Sequence, residues 1–311
     1  MAFAPLEPLL QALTTLVQHI AARPEALYHI AALPTAVTLG YYGLFLCVLL
    51  MPHQRFNQRW RWSALSLCAL LILGGVGWKY QDSQSRQLRV TFLDVGTGDA
   101  ILIQTPEGHN ILIDGGGTYN GQFDIGARVV APVLWQRHIG RFDLMALTHM
   151  HPNHARGLAS LFRLFGSQHL LTNGSPIHAD YLQDMMALAA PRGTRLHTAP
   201  TGPRHWQWGR LKLSLLSPPP RVSPHPWQPP TENDRSLVLR LQYGDVRILF
   251  TGDIHHATEQ WLAAYIGDLR ADIMQVPHHG SRTSSHPDLI RRVQPEVGII
   301  TAGSGNPYGH P

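Results

Sequence analysis

Cysteine is nearly absent from this 311-residue chain, which has only Cys47 and Cys68. Both lie in apolar runs, so the sequence excludes a disulfide-rich scaffold and a cysteine-based zinc site. Charged residues are also few, at 14% of the chain against 44% hydrophobic residues. Lysine occurs only at positions 79 and 212, so the net charge of +5 comes mainly from arginine. That charge permits a polyanionic partner but does not require one.

Long apolar runs occur near the N-terminus, where residues 30–52 and 63–78 contain no acidic or basic side chain. A bilayer span needs about 20 apolar residues, so the sequence predicts a transmembrane helical hairpin over residues 30–80. Two other interpretations are a pair of buried core helices and, for the first run, a signal peptide. A signal peptide should lie at the extreme N-terminus behind a short basic region, and the first run does not.

The segments beside the hairpin predict how it is placed. Aliphatic residues recur at helical spacing in residues 1–29, which indicates an amphipathic helix on the membrane or against further helices: Leu9, Leu10, Leu13, Leu16, Val17 and Ile20. The loop 53–62 carries Arg55, Arg59 and Arg61 and no acidic residue. By the positive-inside rule this loop stays in the cytoplasm. The part after about residue 80 is then expected on the outer, periplasmic or extracellular, side of an inner or plasma membrane.

From residue 87 onward the pattern changes to short β-rich segments separated by turn residues. Strands are predicted at 88–93, 100–104, 111–113, 142–147, 170–172, 210–216, 237–243, 246–251, 273–276 and 297–301. Helices are predicted at 127–136, 154–165, 180–190, 257–265 and 288–293. Strands in two batches with helices between them indicate a layered α/β domain, with sheets inside and helices outside.

Three histidines fall within six positions directly after the apolar segment 142–147: His149, His151 and His154. A buried imidazole needs a partner for its polar nitrogens. Neutral imidazole is the commonest side-chain ligand of divalent metals, so one metal site would satisfy this need. The other interpretation is a histidine-rich surface turn, because the chain has 19 histidines in all.

Polar residues also end other predicted strands, namely Asp94, Asp114, Asp253 and His278. In layered α/β folds this edge of the sheet is where ligand sites assemble. Each residue alone could be a turn or helix cap, but together with His149 they favour a shared metal site. The carboxylate of Asp253 could bridge two cations there.

Seven motifs carry a family resemblance: DVGTGDA at 94–100, IDGG at 113–116, THMHPNH at 148–154, NDRSLVL at 233–239, TGD at 251–253, PHHGS at 277–281 and NPYGHP at 306–311. Over about residues 88–311 the chain resembles the metallo-β-lactamase superfamily. More narrowly, it resembles the C-terminal domain of ComEC-type DNA-internalisation competence proteins. The resemblance implies an αββα fold and a two-metal hydrolytic site. It also implies a membrane-bound nuclease that degrades one DNA strand while the other enters the cell, with the rest of the channel and DNA-receptor proteins as partners.

The resemblance further implies roles for individual residues, around one or two ions of Zn²⁺ or Mn²⁺. The expected metal ligands are His149, His151, Asn153, His154, Asp253 and His310. The residues expected to act in catalysis are Asp253, His278 and His279. The residues expected to support and orient them are Asp94, Asp99, Asp114, Asn233 and Ser236. Of these, Asp253 would bridge two ions, and His310 would be a final ligand or a phosphate contact.

One residue departs from the superfamily pattern, which has aspartate where this chain has Asn153. An amide oxygen can bind a cation but brings no negative charge. The sequence therefore predicts a weaker second metal site, a one-metal enzyme or an inactive one. Because Pro311 ends the chain inside a motif, the domain 88–311 is expected to be an incomplete fragment.

Two other functions stay open. One is a different hydrolase of the same fold, such as a lactonase or an RNA-processing enzyme, against which the segments 94–100 and 233–236 argue. The other is a degenerate domain that binds DNA or gates the channel without catalysis, which Asn153 favours.

Overall fold

The computed structural model describes residues 6–21, 35–50, 58–83, 87–175, 180–199, 201–219, 227, 229–304, 306 and 308–311. Three helices precede the β-rich part: α1 (Leu6–Ala21), α2 (Thr35–Leu50) and α3 (Gln58–Ser83). α1 occupies most of the segment in which an amphipathic helix is predicted. Its exposed aliphatic side chains include Leu10, Leu13, Leu16 and Val17. Arg55, on which the predicted orientation partly depends, lies outside the described residues.

Glycines allow α2 and α3 to approach each other closely. A side-chain carbon at Gly40 would lie 2.8 Å from Cγ1 of Ile72, and one at Gly75 would lie 2.6 Å from Cγ2 of Val37. Within the described ranges, no helix is both long and apolar enough to cross a membrane. The two predicted helices are therefore present, but the transmembrane character predicted for them is not confirmed.

The strands form two six-stranded sheets, each following the order of the chain. The first sheet contains β1 (Arg89–Phe92), β2 (Ile101–Gln104), β3 (Asn110–Ile113), β4 (Phe142–Leu147), β5 (Ser167–Thr172) and β6 (Arg195–Thr198). The second contains β7 (His205–Trp208), β8 (Leu211–Ser217), β9 (Val238–Tyr243), β10 (Val246–Phe250), β11 (Ile273–Gln275) and β12 (Val297–Ile299). β1 to β3 and β7 to β10 pair antiparallel, whereas β3 to β6 and β10 to β12 pair parallel.

Helices cover the outer face of each sheet. α4 (Ala131–Gln136), α5 (Pro152–Phe165) and α6 (Asp180–Ala189) share a buried apolar cluster with the first sheet. α7 (His256–Tyr265) and α8 (Pro287–Val293) share another with the second sheet. A third cluster, which includes Ile111, Leu144 and Leu239, lies between the sheets. Each such side chain contributes about 1.5–3 kcal/mol when fully buried, and the resulting helix–sheet–sheet–helix order confirms the predicted αββα layers.

Two strands of the structure were not predicted, and several element boundaries differ, among them the start of β5 at Ser167 and the start of α5. β6 and β7 were not predicted, because each alternates polar and few apolar residues and has no buried side chain that would mark a strand. α5 begins at Pro152, two residues before the predicted start. As a result, Asn153 and His154 lie in the first turn of α5, close to the carboxyl ends of β3 and β4.

Candidate metal centre

The first sheet and α5 bring several predicted site residues to one edge. β3 is followed directly by Asp114, which has a positive φ of 57°. β4 runs directly into Thr148 and His149. Because β3 and β4 are parallel, their carboxyl ends lie side by side. Asn153 and His154, both buried, join this edge from the first turn of α5.

Asp114 fixes both the loop after β4 and the ring of His154. Its Oδ1 accepts a hydrogen bond from the backbone N–H of Thr148 at 2.7 Å, and its Oδ2 accepts one from the Thr148 hydroxyl at 2.6 Å. The same Oδ2 lies 2.8 Å from Nδ1 of His154. When Nδ1 donates to this carboxylate, Nε2 of His154 is left as the ligating nitrogen. The structure thus places Asp114 where an orienting residue is expected.

The second sheet supplies Asp253 and His279. Asp253 follows β10 after Gly252, which has a φ of 54°, and its backbone N–H donates to Oγ of Ser236 at 3.2 Å. His279 lies in the short turn Pro277–Gly280 after β11 and is 2% exposed. These two residues meet the histidines of the first sheet at the boundary between the sheets.

A single carboxylate oxygen faces three imidazoles. Oδ2 of Asp253 lies 3.3 Å from Nε2 of His154, 3.4 Å from Nε2 of His279 and 3.7 Å from Nε2 of His149. His149, His154 and Asp253 form one set of ligand atoms close enough to hold an ion, and Asp99, Asp253 and His279 form another. A third set is Asp99, Asp114 and His154, so Asp99, His154 and Asp253 each belong to two of the three sets.

Buried polar atoms without partners concentrate here. In the described part of the chain, ten buried side-chain nitrogen or oxygen atoms have no hydrogen-bond partner, and six belong to this cluster. They are Nε2 of His149, His154 and His279, and Oδ1 of Asn153, Asn233 and Asp253. Leaving such an atom unsatisfied costs about 1–3 kcal/mol, so a cation shared by several of them would stabilise the fold.

The spacing and chemistry of these atoms fit a divalent metal. Ligands about 2.0–2.2 Å from a tetrahedral ion lie about 3.3–3.6 Å from one another. The distances from Asp253 to the three imidazoles, 3.3–3.7 Å, are close to that spacing. A donor set of imidazoles with a carboxylate suits Zn²⁺ and also admits Mn²⁺.

Of the two other predicted aspartates, one joins this centre and one does not. Asp99 is buried, accepts hydrogen bonds from Nε2 of Gln275 and Oγ1 of Thr301 at 2.6 Å each, and lies 3.7 Å from Nδ1 of His154. Asp94 is exposed, and its Oδ1 accepts from the backbone N–H of Gly96 at 3.2 Å. Asp94 therefore closes its own turn, which is the alternative that its position in the sequence left open.

The remaining predicted histidines lie farther out. His151 is half-buried, with its ring centroid 4.7 Å from that of His149. The ring of His310 lies 5.7 Å from that of His278 and 6.2 Å from that of His279. These rings are less buried than those of His149, His154 and His279.

His255 is a site residue that the sequence interpretation missed. Its Nε2 lies 3.0 Å from Nδ1 of His278 and 3.1 Å from Nδ2 of Asn233. Asn233 is thereby placed beside two imidazoles, and its Nδ2 is also 3.4 Å from Nε2 of His278. The position of His255, two residues after Asp253, was the signal available in the sequence. Burial lowers the pKa of His278 to about 4, with a further contribution from His255.

Burial and mutual charge set the protonation of the inner residues. Burial opposes ionisation of Asp253, but the imidazoles of His154 and His279 outweigh it and hold its pKa well below the usual range. Burial also opposes a charged His154 ring, yet the carboxylates of Asp253 and Asp114 hold its pKa well above the usual value. Burial, together with the charge on His154, holds the pKa of His149 well below its usual value. Without a metal, therefore, a proton on His154 balances the buried carboxylates.

The raised pKa of His154 gives a testable pH dependence. Its stabilising contribution is fully present below the unfolded-state pKa of about 6.5 and is lost as the pH rises through the higher folded-state pKa. We expect the melting temperature of the metal-free chain to fall above about pH 6.5. Bound Zn²⁺, which replaces the proton on Nε2, should reduce this fall. Melting curves in EDTA and in Zn²⁺ test this, and parallel pH dependences in the two buffers would contradict it.

Comparison with known proteins gives a family and several relatives. Residues 93–303 match the model of the metallo-beta-lactamase superfamily. The chain is 26% identical to ComE operon protein 3 of Bacillus subtilis, over 89% of this chain and 36% of that protein. It is 29% identical to Recombination protein 2 of Haemophilus influenzae, over 87% of this chain and 31% of that protein. It is 28% identical to Competence protein ComA of Neisseria gonorrhoeae, over 93% of this chain and 36% of that protein. The chain thus spans about a third of the length of these relatives, and the resemblance carried by its motifs is confirmed.

Proposed function

The chain belongs to the metallo-β-lactamase superfamily, and we propose that it is the metal-dependent nuclease part of a DNA-uptake channel. In this role it hydrolyses phosphodiester bonds of incoming DNA. The observation that carries the proposal is the convergence of three buried imidazoles from both halves of the chain on the carboxylate of Asp253. The names of the competence relatives support DNA as the substrate.

The proposed division of labour follows from the contacts. His149, His154 and Asp253 would hold one ion, and Asp99, Asp253 and His279 would hold a second. Asn153, His151 and His310 are candidates for further ligands or phosphate contacts. A divalent ion bound there, Zn²⁺ or Mn²⁺, would supply the Lewis acidity that phosphodiester hydrolysis needs.

The residues around these ligands keep them in place and in the right form. Asp114 keeps the proton of the His154 ring on Nδ1. The Nε2 atom of His154 then faces Asp253. Ser236 holds the backbone of Asp253. His278, next to His255, would accept or hold a proton as substrate binds.

An assay on DNA tests the proposed activity. The chain should cut single-stranded or duplex DNA in Mn²⁺ or Zn²⁺, and EDTA should stop the reaction. His149→Gln should slow cleavage by about 10²–10³-fold, as expected for loss of a ligand that stabilises the transition state. His256→Gln is the matched control, because His256 lies 3.1 Å from the backbone oxygen of Ser284 and outside the cluster.

Other outcomes of this assay would select the alternatives. DNA that is bound but stays intact with either metal would favour a non-catalytic binding or gating domain. Cleavage of a lactone or of RNA, with DNA untouched, would favour a different hydrolase of the same superfamily.

We also propose that α2 and α3 attach the chain to the inner or plasma membrane, with residues 88–311 on the outer side. The apolar composition of residues 30–52 and 63–78 and the arginines between these runs support this placement. The rest of the channel and DNA-receptor proteins would be its partners. Recovery of the chain in the washed membrane fraction, with cleavage by protease added from outside, tests both parts of the proposal.

A further inference from the structure

Glu232 connects the metal centre to the end of β5. Its side chain is 8% exposed, and its Oε1 accepts hydrogen bonds from the backbone N–H of Met150 and from Nδ2 of Asn173, both at 3.0 Å. Its Oε2 accepts one from Oγ of Ser175 at 2.7 Å. A carboxylate is buried at low cost only when donors replace its hydration. Three donors do so here, and Glu232 is not among the residues that the motifs assign to the site.

The partner that matters most is the amide of Met150. This amide lies in the chain between His149 and His151, so its direction sets the path of the loop that carries both imidazoles. Nε2 of His149 is the most distant of the three nitrogens around Oδ2 of Asp253, at 3.7 Å. If the loop that carries His149 were free to move, the distance between Nε2 of His149 and Oδ2 of Asp253 would be the first to increase.

The residues that follow Glu232 hold the other half of the site. Oδ1 of Asp234 accepts from the backbone N–H of His255 at 3.2 Å, and Oγ of Ser236 accepts from that of Asp253 at 3.2 Å. The backbone N–H of Leu237 donates to the oxygen of Thr148 at 2.9 Å. The segment 232–237 therefore contacts both the loop after β4, which carries His149, and the loop after β10, which carries Asp253. Glu232 provides the side-chain contact with the loop after β4.

We propose that Glu232 is a positioning residue that fixes the distance between His149 and Asp253 and thereby sets the affinity of the centre for its cation. The inference rests on the proposed metal centre. Glu232 acts through the three hydrogen bonds that its carboxylate accepts and is not itself a metal ligand. A side chain of the same shape that accepts hydrogen bonds should therefore be able to replace it.

Co²⁺ titration of the full chain, followed by visible absorption, tests the proposal. Glu232→Ala should weaken Co²⁺ binding by about 10–100-fold, the usual effect of removing a residue behind a ligand, and alter the spectrum. Glu232→Gln should restore both, because its amide oxygen accepts from Met150 and Asn173. The matched control is Glu259→Ala, since Glu259 is also buried and accepts two backbone N–H bonds, from Ser285 and His286. It should lower the melting temperature but leave Co²⁺ binding unchanged.

Hydrogen exchange in the metal-free chain separates this proposal from the proposed function. Glu232→Ala should speed exchange of the Met150 amide by at least about tenfold, equivalent to one lost hydrogen bond, and Glu232→Gln should not. A wild-type chain that binds no Co²⁺ would count against the metal centre itself. Unchanged exchange at Met150, or Co²⁺ binding by Glu232→Ala equal to that of the wild type, would overturn the role of Glu232.

Discussion

Asp253→Asn is expected to weaken divalent metal binding and to slow DNA hydrolysis by at least about 10²–10³-fold, or about 3–4 kcal/mol. Among the residues that the structure describes, this carboxylate is the one negative group that lies within 4 Å of His149, His154 and His279 together. An amide keeps the shape of the side chain but removes the charge that offsets a cation. Isothermal titration with Mn²⁺ and Zn²⁺, with DNA cleavage measured in parallel, gives both quantities.

Asp272→Asn serves as the control for this variant. Asp272 directly precedes β11 in the second sheet. It accepts a hydrogen bond from the backbone N–H of Arg247 at 2.6 Å, away from the cluster. It should leave metal affinity unchanged. If Asp253→Asn binds the metal as tightly as the wild type does, Asp253 is not a ligand and the centre is wrongly assigned.

Asn153→Asp is expected to convert a weak second cation site into a tight one. Oδ1 of Asn153 is buried without a hydrogen-bond partner, and Asn153 directly precedes His154 in the first turn of α5. A carboxylate there would add a charge whose attraction for a cation at 4 Å is several kcal/mol at an intermediate dielectric constant. After the cost of desolvation, we expect the second ion to bind at least about tenfold more tightly, a gain of about 1.4 kcal/mol. Metal content after extensive dialysis should rise from about one ion per chain toward two.

Asn120→Asp adds the same charge on an exposed loop and should leave the metal content as it is. Two ions that survive dialysis of the wild-type chain would contradict the weakened site. Faster DNA cleavage by Asn153→Asp would further show that the second ion contributes to hydrolysis.

The parts of the site that were predictable lie directly after strongly apolar strands. β4 has five buried residues out of six, which marks the strand and therefore the position of His149 after it. Asp114 and Asp253 follow β3 and β10 in the same way. The contact between Asp99 and Gln275 joins residues 176 positions apart, and no local pattern indicates such a pairing. Glu232 and His255 were missed for the same reason, because their roles depend on which loops meet.

The different positions of His278 and His279 could also be found only from coordinates. Both have positive φ, 49° and 55°, so they lie in a left-handed turn to which neither strand nor helix periodicity applies. The turn sends His279 inward, to 3.4 Å from Asp253, and leaves His278 beside His255. A sequence reader sees two adjacent histidines and has no physical basis for separating them.

The chain completes one sheet at β6 before it begins the other at β7. His149 and His154 therefore lie in the half of the chain that forms the first sheet, and Asp253 and His279 lie in the half that forms the second. An ion held by His149, His154 and Asp253 would act as a cross-link between the two halves, closing a long loop whose entropy the unfolded chain retains. The concentration of free metal ion would then determine how cooperatively the two halves unfold, as well as the fraction of chains that have an ion bound.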